Sequence, residues 1–255
     1  MNETIDVILQ RKSVRSYRAD SIPVEEREAV LEAMRRAPTA GNQTLYSVIQ
    51  VQDREKKTQL ADLCDHQPFI ASAPWVLVFL ADLQRMHDFF QVSDIDSLVL
   101  REIAPAARPQ EGDLLLACCD ALIAAHTAVI AAESLGIGSC YVGDILENFE
   151  KVGSLLSLPQ YTIPITLLTF GYPTEQQNNR MQTDRMPLDQ FCFTDEYRRL
   201  EATELNRLYD YNLSRNPRYL PGAENMGQHT YLRKFSSDFM QEMRRSVKEM
   251  LKNWR

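Results

Sequence analysis

Histidine is scarce in this 255-residue chain. The four present, His66, His87, His126 and His229, share no spacing and form no H-E-x-x-H pair, which argues against a metal centre. The five cysteines (Cys64, Cys118, Cys119, Cys140, Cys192) are odd in number and contain no C-x-x-C, so they read as reduced, mostly buried thiols of a cytoplasmic protein. Cys118 and Cys119 are adjacent on a predicted helix and cannot face one cavity, which favours packing over redox chemistry. No P-loop and no G-x-S-x-G is present. Gly136-Ile137-Gly138 follows a predicted helix and precedes a strand, the reverse of the dinucleotide motif, so a Rossmann site is excluded. An excess of positive charge is lacking too. With 28 basic against 35 acidic residues, a net charge of −7 and a pI near 5.2, the chain has no broad basic face for a nucleic-acid backbone.

Long apolar runs are nearly absent. The exception, Leu114 to Ala132, is interrupted by Asp120, His126 and Thr127. A carboxylate at its middle would cost about 2.5–3.5 kcal/mol in a bilayer. With a mean hydropathy of −0.33 and no second such run, a buried core helix is expected rather than a membrane span, with His126 a satisfied core residue near Asp120 or Glu133. The acidic opening Met1-Asn2-Glu3-Thr4-Ile5-Asp6 lacks the apolar stretch of a secretory signal, which again points to the cytoplasm.

What the chain does have is one dense knot of positive charge, Arg11-Lys12-Ser13-Val14-Arg15-Ser16-Tyr17. In an extended segment Arg11, Ser13 and Arg15 line one side while Lys12 and Val14 face the other. Two guanidinium forks with a hydroxyl between them suit one phosphate, since Arg binds phosphate oxygens in bidentate, charge-assisted fashion. A solvated basic turn is the other reading of these residues alone.

Periodicity places amphipathic helices at 4–10 and 23–36, the second opened by Pro23 and ended by Ala37-Pro38. The loop Thr39-Ala40-Gly41-Asn42-Gln43 leads to a half-buried strand at 47–52, then a helix at 53–64. Trp75 to Ala81 reads as a central strand buried on both faces. Short helices fit 84–90 and 94–103. A long helix at 112–135, apolar nearly all round, is expected to be covered on every side, by a subunit interface or a thick core. Gly136 stops it. Asp144 with Glu147 reads as the N-cap pair of a helix at 144–157, and Ile163–Gly171 as a strand. The last helix, 236–254, carries the stripe Phe239, Met243, Val247, Met250 and Trp254, which must be buried against something, another subunit being one partner. Separated strands among helices with no βαβ repeat indicate an α+β fold.

The phosphate donors, the amides Asn42 and Gln43, the polar stretch Cys64-Asp65-His66-Gln67 and Tyr141-Val142-Gly143 outline a site for a phosphate-bearing heteroaromatic ring. Gly143 lets backbone approach a flat ring. With these motifs the chain resembles the nitroreductase family of FMN-dependent nitro/flavin reductases, nearest its oxygen-insensitive NADPH branch. Residues 11–17 resemble (R/H)-x-S-x-R-x-(F/Y), and Ala37 to Gln43 resemble A-P-S/T-x-x-N-x-Q. Ala132 to Gly143 resemble A-E-S-L-G-L-G-x-x-Y-I-G, and Gly171-Tyr172-Pro173 the later G-Y-P.

The resemblance implies a three-layer α+β sandwich with a mainly antiparallel central sheet, existing as an intertwined homodimer with FMN in two clefts built from both chains. Residues 1–200 would form the FMN-binding domain and 201–255 a helical extension packing on the dimer. By position Arg11, Lys12, Ser13 and Arg15 would hold the phosphate, ribityl chain and pyrimidine edge. Thr39, Ala40 and Asn42 would come from the other chain, with Gln67 at the ring. Tyr141, Val142 and Gly143 would lie against the isoalloxazine, the N–H near Gly143 facing N5, and Arg185 would be a second phosphate arginine. Thr183 stands where the family usually has a lysine. The loop Asn225-Met226-Gly227-Gln228-His229 lacks the arginines that grip the NADPH 2′-phosphate, so NADPH or NADH is the donor. The activity implied is ping-pong hydride transfer from nicotinamide to small flat acceptors such as nitroaromatics, quinones or flavins, with no side-chain acid or base required. Alternatives are a flavin reductase serving a partner and a non-catalytic FMN-binding protein.

Overall fold

The computed structural model describes residues 2–208 and 219–254. Two compact units divide it: Met1–Arg180 with Glu242–Arg255, and Met181–Gln241. The first unit contains the helices α1 (Glu3–Gln10), α2 (Val24–Arg35), α3 (Arg54–Leu63), α4 (Pro68–Ser72), α5 (Gln84–Val92), α6 (Ile95–Leu100), α7 (Glu111–Ser134), α8 (Phe149–Leu156) and α9 (Glu175–Asn178). Its strands are β1 (Tyr46–Gln50), β2 (Trp75–Asp82), β3 (Gly138–Val142) and β4 (Thr162–Gly171). The second unit holds α10 (Ala202–Asn206), α11 (Met226–Thr230) and the start of α12 (Asp238–Trp254), whose remainder belongs to the first. The poorly patterned 205–235 stretch includes 209–218, which lie outside the described residues.

The four strands form one antiparallel sheet in the order β1-β2-β4-β3, giving an α+β sandwich. Central strand β2 is buried along its whole length, and its alternation divides the core. Trp75, Leu77 and Phe79 pack with Val30 of α2 and the alanines of α7. Val76, Val78 and Leu80 pack on the opposite face with Leu60 of α3, Ile70 of α4 and Val152 of α8. The small residues Ala117, Ala121, Ala124, Ala125, Ala128 and Ala132 let α7 lie close against the sheet.

α7 is not covered on every side. Leu115, Leu116, Leu122 and Ile123 are exposed within the chain, as are Ile5, Ile8 and Leu9 of α1. A thick core within one chain therefore does not account for the apolar outer face. His126 also lies on this open side, exposed rather than buried in the core, with Nδ1 3.4 Å from Tyr141 Oη. The cysteines are all free, but only Cys64 and Cys140 are buried; Cys118 is half-buried and Cys119 and Cys192 are exposed.

The start of α8 also differs from the sequence expectation. Residues Gly143–Leu146 form a 3-10 turn, and the helix begins at Phe149 after Asn148 in a left-handed conformation. Asp144 does not cap it, because its carboxylate accepts a hydrogen bond from Gln67 Nε2 at 2.6 Å instead. At the far end of the chain, Met250 and Trp254 of α12 are buried against Leu114, Phe149 and Tyr161, and Trp254 Nε1 donates to Gln110 O at 3.1 Å. This part of the stripe is covered by the chain's own core.

Candidate functional site

The basic segment is extended because β3 and β4 hold it that way. Ser13 pairs with Ser139 in a parallel bridge, and Val14 N donates to Ser139 O at 2.8 Å. Tyr17 pairs with Pro173, Arg18 N donates to Tyr172 O at 2.8 Å, and Thr174 N donates to Ser16 O at 3.2 Å. Two glycines permit this approach. A Cβ at Gly138 would lie 2.5 Å from Val14 Cγ2, and one at Gly171 would lie 2.7 Å from Tyr17 Cδ1 and 2.8 Å from Pro74 Cδ. These glycines therefore seat the segment rather than turn the chain. Tyr17 locks it: its buried hydroxyl donates to Val14 O at 2.6 Å and lies 2.6 Å from Thr169 Oγ1. Burial pushes that phenol well above its ordinary range.

Arg11 to Arg15 thus run beside the first residues of β3, Tyr141 and Val142 follow along the same strand, and Gly143 opens the 3-10 turn after it. From Ser139 to Val142 the strand covers about 10 Å. A Cβ on Gly143 would point into open space, so this end of β3 offers bare backbone. Gln67 joins the same end by donating to Asp144 Oδ2 and, at 3.0 Å, to Cys64 O. The structure therefore brings Arg11, Ser13, Arg15, Gln67, Tyr141, Val142 and Gly143 to one strand and its flanks.

Charges around the segment are partly matched. Lys12 Nζ donates to the carbonyls of Asn178 and, at 3.0 Å, Arg180, so its ammonium is engaged by the turn after α9. Arg15 N donates to Gln177 Oε1 at 2.9 Å, and its guanidinium lies 5.9 Å from the Phe69 ring centre. Cys140 lies beneath, its thiol pushed up by burial against the opposing pull of Arg15 and Ser13. Glu133, half-buried near Ser139, is pushed up to about 7 by burial although Arg11 and Lys12 act the other way. Burial raises Tyr141 to about 12.

The loop 39–43 lies elsewhere. Asp120, 2% exposed in the middle of α7, accepts from Ala40 N at 2.9 Å and Leu45 N at 3.0 Å. Thr44 N also donates to Thr39 Oγ1 at 3.1 Å, and Gly41, Asn42 and Thr44 all have φ between 55 and 58°. The thirteen residue steps from Asp120 to Glu133 span about 20 Å of helix axis. Within one chain Thr39, Ala40 and Asn42 are thus anchored about 20 Å along α7 from the basic segment. Sequence patterning singles out none of this clamp; its only signal is a lone carboxylate in an apolar helix with no basic neighbour. Arg185 lies in the second unit, where Nη1 donates to Thr183 O at 2.7 Å and Asp184 O at 3.2 Å.

The profile of the Nitroreductase family matches residues 8–172, more than half of the chain. The chain belongs to the nitroreductase family. It is 32% identical to the FMN reductase [NAD(P)H] of Bacillus subtilis over 84% of this chain and 82% of the relative. It is 28% identical to the oxygen-insensitive NADPH nitroreductase of Salmonella typhimurium over 98% and 97%. Among solved structures, NfrA2 of B. megaterium superposes with a TM-score of 0.80 at 27% identity, covering 98% of each chain. The sandwich described above is the nitroreductase fold, and the family motifs at 11–17, 132–143 and 171–173 are the segments that meet at β3.

One buried carboxylate of this nitroreductase-fold chain stands apart from the basic segment. Glu147 is 5% exposed and pushed up to about 7, first by burial and then by Asp144, Asp65 and Glu242. An unfolded chain ionises this group near 4.5, so between about pH 4.5 and 7 the unfolded state loses a proton that the folded state keeps. Stability therefore falls as pH rises through that window, by at most about 3 kcal/mol for this group. Chemical denaturation at pH 5 and pH 7.5 should show the wild type less stable at the higher pH and Glu147→Gln with a smaller difference. An equal difference in both proteins would remove Glu147 as the cause.

Proposed function

We propose that this chain is an FMN-dependent NAD(P)H oxidoreductase that reduces small flat electron acceptors such as nitroaromatics, quinones or free flavins. The observation carrying this reading is the seating of Arg11, Ser13 and Arg15 beside β3, whose far end exposes bare backbone at Gly143. The donor set fits FMN: guanidinium and hydroxyl groups suit the phosphate, and an amide with an open strand end suits a planar heterocycle. The names of the B. subtilis and S. typhimurium relatives support both the flavin and the nicotinamide.

In this reading Arg11, Ser13 and Arg15 bind phosphate, Lys12 braces the α9 turn and adds positive potential, and Tyr141, Val142 and Gly143 orient the ring with Gln67 beside it. Arg185 is the second phosphate arginine of the family pattern. FMN, when bound, supplies the two-electron chemistry, accepting hydride from a reduced nicotinamide and passing it to the acceptor. The protein adds orientation and the positive charge of Arg11, which favours negative charge developing nearby. No side-chain acid or base is assigned.

The working unit in this proposal is a homodimer. Thr39, Ala40 and Asn42 cannot reach their own chain's basic segment along the 20 Å of α7 between the two anchor points, and the partner's loop fills that role. The exposed Leu115, Leu116, Leu122 and Ile123, with Ile5, Ile8 and Leu9, support an apolar subunit interface. Residues 1–200 would be the flavin domain and 201–255 the extension. The free thiols suit a cytoplasmic location.

Replacing Arg11 or Arg15 with Ala tests the assignment. Each variant should purify largely free of FMN while keeping its fold by circular dichroism. Full flavin occupancy in either variant would overturn the phosphate assignment of that residue.

A further inference from the structure

We infer that Asp144 is a positioning residue of the flavin site: it holds the Gln67 amide so that only the side-chain oxygen is offered to the ring, an acceptor that selects the flavin N3–H. The inference rests on the flavin reading above, which places Gln67 beside the ring. Asp144 itself has no part in that reading.

Gln67 is fixed through both its backbone and its side chain. It sits in the turn between α3 and α4, where Gln67 N donates to Ala61 O at 2.9 Å and Gln67 O accepts from Ile70 N at 3.1 Å. The two residues before it, Asp65 and His66, take left-handed backbone with φ of 55 and 51°, which bends the chain sharply between the two helices. The side chain is then spent as a donor. An amide NH2 carries two hydrogens, and Gln67 Nε2 gives them to Cys64 O at 3.0 Å and to Asp144 Oδ2 at 2.6 Å. Both partners only accept, so the amide cannot turn over without setting its own oxygen against a carbonyl and a carboxylate. Among the described residues no group donates to Gln67 Oε1.

Asp144 imposes this orientation from the strand side. It directly follows Gly143 in the 3-10 turn that closes β3, so its bond to Gln67 ties the α3–α4 turn to the bare-backbone end of that strand. Its negative charge is felt nearby, being the largest cause after burial that raises both the Cys64 thiol and the Glu147 carboxyl. A carboxylate accepting from an amide N–H polarises the amide and makes its oxygen a stronger acceptor.

The ring supplies one match. On the polar edge of an oxidised isoalloxazine N1, N5 and the two carbonyl oxygens accept hydrogen bonds, and only N3–H donates. A group that can only accept therefore pairs with N3–H. Without Asp144 one amide hydrogen is unclaimed and the amide can rotate about its remaining bond to Cys64 O, offering a donor to a ring carbonyl instead. The requirement for N3–H would then relax.

The test compares FMN with 3-methyl-FMN, in which a methyl group replaces that hydrogen. Apo-protein is titrated with each by flavin fluorescence, and the ratio of the two affinities is read in wild type, Asp144→Ala, Asp144→Asn, Gln67→Ala and Gln67→Ala/Asp144→Ala. Wild type should bind FMN at least 10-fold more tightly than the methylated flavin. Asp144→Ala should lower that ratio at least fivefold, about the worth of one hydrogen bond. Asp144→Asn, whose side-chain oxygen can still accept from Gln67 Nε2, should stay within twofold of wild type. Because Asp144 acts through Gln67, adding Asp144→Ala to Gln67→Ala should change the ratio no further. The inference is overturned if Asp144→Ala keeps the wild-type ratio, including by weakening both flavins equally, which marks a structural effect. It is also overturned if Asp144→Asn loses the ratio as fully as Asp144→Ala, which marks a charge effect, or if the Asp144→Ala effect persists in the Gln67→Ala background. Wild type that binds FMN with no preference over 3-methyl-FMN removes the inference and leaves the flavin reading standing, whereas wild type that binds neither removes both.

Discussion

Gly138→Ala is expected to empty the flavin site, lowering FMN affinity by about 100-fold or more, although no atom of Gly138 is assigned to the ligand. The added Cβ would lie 2.5 Å from Val14 Cγ2 and 3.0 Å from Val14 Cβ, closer than packed carbons tolerate. Val14 is 3% exposed and bonded through its N–H to Ser139 O, so it cannot turn away into solvent. The strain is relieved by lifting the segment, which moves Arg11, Ser13 and Arg15 together. Overpacking of this kind costs about 1–3 kcal/mol of stability. Each charge-assisted hydrogen bond lost from the phosphate costs about 1.5–3 kcal/mol, so two of them account for the affinity. FMN content after purification and fluorescence titration measure the effect. The double variant Gly138→Ala/Val14→Ala, which removes the opposing methyl groups, should recover most of the binding. A single variant that keeps wild-type FMN affinity would show that the seating of the segment on β3 does not govern the site.

Asp120→Leu is expected to destabilise the fold by about 2–6 kcal/mol and to loosen the loop 39–43. The carboxylate satisfies two backbone N–H groups, those of Ala40 and Leu45, and Leu45 is 3% exposed. Leaving a buried donor unsatisfied costs about 1–3 kcal/mol each. Asp120→Asn keeps the shape and one acceptor but aims an NH2 at the other amide, so about half the loss is expected. Urea denaturation measures the stability change. If the loop also reaches the partner chain's flavin, both variants lose FMN affinity in proportion to the loop's displacement. Wild-type stability for Asp120→Leu would contradict the clamp.

The parts of this molecule that the sequence makes legible are those specified locally. Trp75 to Ala81 is a continuous apolar run, and it is the central strand, which extends one residue further to Asp82. The alanine-rich stretch is the long helix, and the basic segment pairs through Ser13 and Tyr17 with Ser139 and Pro173. The parts that are not legible depend on partners far along the chain. Asp144 looks like a helix cap until Gln67, 77 positions away, takes its carboxylate. Asp120 looks like an impurity in an apolar helix until two amides 75 and 80 positions away are found on it. His126 and Cys119 sit on an apolar helix yet are exposed, because periodicity reveals which face is apolar and not what covers it. Gly138 and Gly171 stand in sequence motifs without a stated reason, and their role is the close approach of Val14 and Tyr17.

The most direct test of the account is the visible absorption spectrum of the purified protein, recorded before and after anaerobic addition of NADH or NADPH. The account predicts an oxidised flavin spectrum near one FMN per chain that bleaches within seconds with at least one of the two nucleotides and returns when a quinone or nitroaromatic is added. Flavin that binds yet stays oxidised with both nucleotides would contradict the oxidoreductase reading, and protein that remains colourless after incubation with FMN would contradict the flavin site itself.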